Sequence, residues 1–240
     1  MARSAVCSDK ILENEFGQPI GWPVRIDLPR PRPDHRRLQG HWGYLEPLTP
    51  DHAPALFQAF LPNPAGFTYM PNGPYTEPAE FQRFIDASAQ SRDPLFYAIC
   101  TPDGTPLGHA TFLRIDPAQG VIEVGFIHYG PALQRTALAT ETMYLMMAHV
   151  FDDLGYRRYE WKCDALNAPS RRAAKRLGFT FEGIFRQATT YKGRNRDTAW
   201  FSILDREWPA AKAEFTRWLA PSNFDADGSQ LSPLAIAAAS

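Results

Sequence analysis

Between residues 121 and 163 the chain reads as strand, tight loop, long helix and strand, an order that leaves the two strands one way to pair. The helix carries Ala139, Met143, Met147, Val150, Phe151 and Leu154 on one apolar side and stops near Gly155, a residue suited to closing a helix. A helical crossover returns the chain to the edge it left, so residues 157–163 must run parallel to residues 121–129. Asn167-Ala168-Pro169-Ser170 then opens a second helix, with Gly178 where a helix-terminating glycine belongs, and residues 180–185 and 198–204 supply further strands. Two helix N-termini facing one sheet make a site for a phosphorylated ligand, because unpaired N–H groups and the helix dipole both favour anions.

The rest of the chain builds outward from this unit. Residues 42–48 form a first strand, and Thr49-Pro50-Asp51 starts a helix with a threonine cap, a proline and an acid in its first turn. Ala53, Leu56, Phe57 and Phe60 keep helical spacing. A loop rich in proline and glycine (Pro62, Pro64, Gly66, Pro71, Gly73, Pro74) leads to a second helix after Thr76 carrying Phe81, Phe84 and Ile85. Residues 95–101 and 106–115 are a hairpin turning at Pro102-Asp103-Gly104. The proline-punctuated residues 1–40 are expected to be an extended arm, residues 41–220 a single α/β (α+β) domain, and the Ala/Ser-rich residues 221–240 a flexible tail. The sheet should be mixed, mostly antiparallel, and flanked by helices.

Composition excludes several classes. Hydrophobic residues make up 44% and charged residues 21%, as in a soluble globular protein. A formal charge of −1 supplies no global attraction to nucleic acid or anionic lipid. Arg25, Arg30, Arg32, Arg36 and Arg37 sit among Pro29, Pro31 and Pro33, which reads as a solvated arm, with an acidic docking partner as the other reading. Cys7, Cys100 and Cys163 are isolated, so neither a disulfide scaffold nor a zinc site is expected. With no secretory leader and no membrane-spanning apolar run, the expected location is the cytoplasm. The histidines lack metal-ligand spacing, and metalloprotease, serine-hydrolase and P-loop signatures are missing.

The loop Gln134-Arg135-Thr136-Ala137-Leu138-Ala139, followed by Thr140-Glu141, resembles the pyrophosphate loop of the GNAT acetyltransferases, Gln/Arg-x-x-Gly-x-Gly/Ala. Asn167-Ala168-Pro169-Ser170 running to Leu177-Gly178-Phe179 is similar to that family's second signature. Phe179, Glu182, Gly183 and Arg186, and then Gly193 and Asp197, follow the spacing of the branch similar to the ribosomal-protein N-terminal acetyltransferases (RimJ/RimL-like). The resemblance spans roughly residues 40–208, with Ala137 replacing the loop's first glycine. It implies a GNAT fold and transfer of acetyl from acetyl-CoA, without a metal, to a primary amine of a protein N-terminus or a small molecule. It also implies that the pantetheine arm pairs with the backbone of Phe126, Ile127 and His128, and that the pyrophosphate sits on the amides of Arg135, Thr136, Ala137, Leu138, Ala139 and Thr140, after Gln134. Asn167, Ser170 and Arg171 would complete the cofactor side. Phe67, Tyr69, Met70 and Tyr75 would contact the acceptor, with plain hydrophobic packing as the alternative.

Acetyl transfer to an amine needs a base for the ammonium proton, a stabilised oxyanion and a proton for the departing thiolate. The resemblance implies Glu123 as the candidate base, on the strand before the loop where several GNAT enzymes place a catalytic glutamate; strand alternation sets it opposite Ile122, Val124 and Phe126, toward a polar cleft, and a cross-strand partner or solvent-facing acid is the bland alternative. His128 is a second candidate base. Many family members carry a tyrosine acid seven residues after the asparagine, but this chain has Ala174 there, which leaves Ser170 to serve the sulfur unless it merely caps the helix. Cys100 and Cys163 have no histidine placed to activate them, so attack is direct rather than through an acyl-enzyme. The competing reading is a catalytically weak or inactive acetyl-CoA-binding module, marked by Ala137 and the missing tyrosine. A homodimer stays open.

Overall fold

The structure, a computed structural model, describes residues 11–24 and 26–236. Expectations for Cys7, Arg25 and the two chain ends lie outside the described residues. A small hairpin, β1 (Leu12–Glu13) and β2 (Pro19–Ile20), stands apart from the main sheet. The main sheet contains β3 (Leu38–Gln39), β4 (Tyr44–Pro47), β5 (Leu95–Cys100), β6 (Pro106–Asp116), β7 (Val121–Tyr129), β8 (Arg158–Asp164), β9 (Thr180–Tyr191) and β10 (Arg194–Leu204), in spatial order 3-4-5-6-7-8-10-9. Every neighbouring pair is antiparallel except β7–β8, which is parallel as the crossover rule requires.

Among the described residues, five α-helices cover the sheet: α1 (Ala53–Phe60), α2 (Pro78–Gln90), α3 (Ala137–Ala148), α4 (Ala168–Arg176) and α5 (Trp208–Leu219). Thr49 and His52 form the box that starts a 3-10 turn, Pro50–His52, running into α1, with the Thr49 amide donating to His52 Nδ1 at 3.0 Å. β5 is buried on both faces and therefore divides the core. Phe96 and Ala98 face α1, α2 and Phe67 on one side, while Tyr97 and Ile99 join Phe112, Ile122, Met143 and Met147 on the other. α3 continues into one π-helical turn, His149–Asp153, before Gly155 ends it with φ +66°.

Several expectations need correction. The helix α5 is missing from the reading above, although Trp208, Ala211, Phe215 and Trp218 are spaced helically and all are buried. β9 and β10 are longer than expected and meet at Lys192-Gly193, both with positive φ (+48° and +70°), the geometry of a tight hairpin turn. Residues 221–236 are not a loose tail: Asn223 Nδ2 donates to Trp218 O at 3.0 Å, Phe224 packs edge-on against Trp218 and Trp42, and Leu234 is buried. The arginines of the arm are turned to the chain itself. Arg30 donates to Leu154 O, Arg36 pairs with Asp153 at 2.6 Å, Arg32 with Asp93 at 3.6 Å, and Arg37 lies 3.3 Å from the centre of the Tyr44 ring. Among the described residues no helix is long and apolar enough to cross a membrane.

Candidate active site

Parallel pairing between β7 and β8 runs only from Val121/Arg158 to Val124/Trp161, after which the strands part. The cause lies in β7, where Phe126 adopts φ +46° and shifts the register against β6. Two side chains of β6 pin that bulge: Thr111 Oγ1 donates to Gly125 O at 3.0 Å, and His109 Nδ1 donates to Phe126 O at 2.8 Å. A cleft of about 480 Å³ opens there, lined by Gly125, Phe126 and Ile127 on one side and by Trp161, Lys162, Cys163 and Asp164 on the other.

Both expected helix N-termini are built by side-chain caps. Thr136 Oγ1 accepts from Ala139 N at 3.1 Å and donates to Leu133 O at 2.8 Å. Gln134 Nε2 donates to Tyr129 O at 2.9 Å, tying the loop to the end of β7. The left-handed residue is Arg135 (φ +64°), whereas Ala137 is the first residue of α3. The missing glycine therefore costs no backbone strain, and the amides of Ala137 and Leu138 have no partner within the helix. The Leu138 side chain is buried in the core, so any contact it makes with a ligand is through its backbone, and the buried Thr140 accepts from Arg176 Nη1 at 3.1 Å. At α4, Asn167 Oδ1 accepts from Ser170 N at 3.1 Å, and Ser170 Oγ accepts from Trp161 Nε1 at 3.0 Å. Asn167 and Ser170 both line the cleft; Arg171 turns away to donate to Ala165 O and approach Phe181.

Glu123 lines the same cleft and also has the cross-strand ion partner that its alternative reading expected, within a larger network. Its Oε2 lies 2.8 Å from Lys162 Nζ and 3.5 Å from Arg114 Nε, and Lys162 also lies 2.7 Å from Glu160. Burial holds the Glu123 carboxyl above the usual range, with Lys162 and Arg114 pulling the other way. Beyond Glu160, Arg158 binds Glu182 through two nitrogens, at 2.7 and 2.6 Å. Trp200 and Phe185, stacked 4.3 Å apart, add an aromatic wall.

The other expected site residues divide. Tyr69 and Met70 line the cleft, and Tyr69 Oη donates to Leu166 O. Phe67 and Tyr75 instead belong to the aromatic cluster between α1, α2 and β5, with Tyr75 stacked on Phe84. His128 points into that cluster too, stacked 4.0 Å from Phe67 and edge-on to Phe60 at 4.3 Å. Burial pushes its pKa down to about 3, and it is not among the cleft-lining residues. Its side chain packs the domain, leaving Glu123 as the candidate base inside the cleft. Lys192 Nζ and Arg194 Nη2, at the tip of the β9–β10 hairpin, donate to Phe67 O at 2.7 Å and Thr68 O at 2.9 Å, tying the hairpin to the loop between α1 and α2.

Glu46, His52 and Cys100 also converge. Because His52 Nδ1 accepts the Thr49 amide, its proton sits on Nε2 and faces Glu46 Oε1 at 3.1 Å, so the trio is a hydrogen-bonded cluster rather than a ligand set.

A family model for the acetyltransferase (GNAT) domain matches residues 44–180. The chain superposes with a TM-score of 0.84 on a GCN5-related N-acetyltransferase from Brucella melitensis, at 49% identity over 86% of this chain and 96% of that one. A probable GNAT-family acetyltransferase from Chromobacterium violaceum gives a TM-score of 0.74 at 37% identity, over 80% of this chain and all of the other (100%). An uncharacterized N-acetyltransferase of Bacillus subtilis, YnaD, is 24% identical over 140 residues, 58% of this chain and 81% of the relative.

Proposed function

The chain belongs to the GNAT acetyltransferase family, and on that premise we propose that it moves acetyl from acetyl-CoA to a primary amine by direct attack within a ternary complex. The observation that carries this reading is a buried carboxylate, Glu123, inside the cleft where the parallel pair parts. In this reading the pantetheine arm follows the backbone of Phe126 and Ile127 into the gap, and the pyrophosphate rests on the amides of Ala137 and Leu138. The amine nitrogen attacks the thioester carbon while Glu123 accepts its proton. Collapse of the tetrahedral intermediate breaks the C–S bond, and Ser170 Oγ–H hydrogen-bonds the departing sulfur. Ser170 suits that role because its oxygen already accepts from Trp161 Nε1, which leaves its proton to donate, and its neighbour on that side is the Cys163 thiol. The acceptor class, a protein N-terminus or a small amine, follows from the RimJ/RimL-like resemblance and the size of the cleft.

The helical position of Ala137 weakens one of the two marks of a module that binds acetyl-CoA without turning it over; Ala174 in place of the tyrosine is the other, and the proposed mechanism gives that place to Ser170. Calorimetric titration with acetyl-CoA, CoA as comparison, followed by a thiol-release assay over N-terminal peptides and small amines, tests the proposal. Micromolar binding and release of CoA with at least one amine class is the expected result. Binding with no acetylated amine would return the module reading, and no binding at millimolar acetyl-CoA would remove both.

A further inference from the structure

Glu123 and Glu160 are direct neighbours in the parallel ladder of β7 and β8. Both are buried, and like charges side by side on one face of a sheet repel. Lys162, two residues beyond Glu160 on the same face, lies between them with Nζ at 2.8 and 2.7 Å from the two carboxylates. Its side chain is only 5% exposed, and Nζ sits 3.8 Å from the centre of the Trp200 ring, its register partner on β10. Three sides of the ammonium are thus occupied by two anions and a π face. The other charged group facing Glu123 is Arg114 from β6, whose side chain is 64% exposed and so exerts a screened pull; Tyr159 of β8 lies on the opposite face of the sheet, beside Ile122 in the core.

We propose that Lys162 is a positioning residue for acetyl transfer: lodged between Glu123 and Glu160, it keeps Glu123 deprotonated and aimed as the base that receives the amine proton. This rests on the reading of Glu123 as the base. Arg158 holds Glu160 from its other side, with Nε 2.7 Å from Oε1, so without Lys162 the proton would go to the buried Glu123, and the base would be occupied near neutral pH. Glu160 acts in the opposite sense, since its charge opposes ionisation of Glu123.

The test is the pH profile of kcat/KM for the wild type, Lys162→Met, Lys162→Arg, Glu160→Gln and Glu123→Gln, with acetyl-CoA affinity measured for each. Lys162→Met should move the acidic limb up by about one pH unit or more, leaving acetyl-CoA binding intact, and Lys162→Arg should restore it. Glu160→Gln should move the limb down. A limb that stays in place in Lys162→Met, with only a uniform loss of rate, overturns the proposal. If Lys162→Met fails to bind acetyl-CoA because it misfolds, Glu160→Gln decides alone: a lowered limb supports the proposal and an unmoved one overturns it. Glu123→Gln separates the two levels, because retention of turnover and of the acidic limb there removes the base reading itself, and this proposal with it.

Discussion

Glu123 was the first candidate base and His128 the second on one strand, and their surroundings differ. Glu123 faces a cleft and two cations, while His128 faces Phe60 and Phe67. Substituting Glu123→Gln should lower turnover by at least ~100-fold with acetyl-CoA binding unchanged, measured by thiol release and calorimetry. The buried histidines make a separate, thermodynamic prediction. Burial lowers the pKa of His128 to about 3 and of His109 to about 4, both below the ordinary value of 6.5. The unfolded chain therefore binds more protons in that window, so stability is complete above pH 6.5 and falls as the pH drops toward 4. Urea unfolding at pH 7.5 and pH 5 should show the loss, and His128→Phe should flatten it; equal stability of the wild type at both pH values would contradict the prediction. The residue types at positions 123, 128, 167 and 170 were visible from spacing. Lys162 was not, because its importance comes from lying beside a carboxylate of another strand.

At the scale of elements, caps and turns behave locally and were partly legible: Thr49 and Asn167 start helical turns where their side chains predict, while the Thr136 cap of α3 emerged only in the structure. The crossover likewise dictated the parallel pair. What escaped was α5, whose helical spacing competes with flanking loops, and the outer half of the β9–β10 hairpin, whose exposed polar residues carry little strand signal. Phe215 of α5 is fully buried against α3 through Tyr144, so Phe215→Ala should cost about 3–5 kcal/mol in denaturant unfolding. Since the tip of the hairpin holds the carbonyls of Phe67 and Thr68, the double substitution Lys192→Ala/Arg194→Ala should raise KM for the amine and leave acetyl-CoA affinity as it is. A rise in both constants together would place the hairpin's effect on the fold instead.

Across the whole molecule, the segments outside the central unit are fastened to it by long-range contacts. The arm reaches α3 and its π turn through Arg30 and Arg36, and Glu141 of α3 accepts the amides of His41 and Trp42 at 2.7 and 2.8 Å. The end of the described chain closes over Trp218 with Phe224 and Leu234. Removing residues 221–240 should therefore lower the melting temperature, read by thermal denaturation, because it uncovers Trp218 and Trp42; an unchanged melt would show that the segment only rests on the surface. Sequence alone determined the family, the parallel crossover, the helix starts at Thr49 and Asn167 and the pair of candidate bases, because each depends on residues a few positions apart or on a motif of fixed order. Tertiary structure decided which residues share the cleft, since strand register and side-chain burial set Glu160 beside Glu123, Lys162 on Trp200 and His128 among phenylalanines. Those neighbours come from distant parts of the chain, and no local pattern encodes the pairing that brings them within a few ångströms.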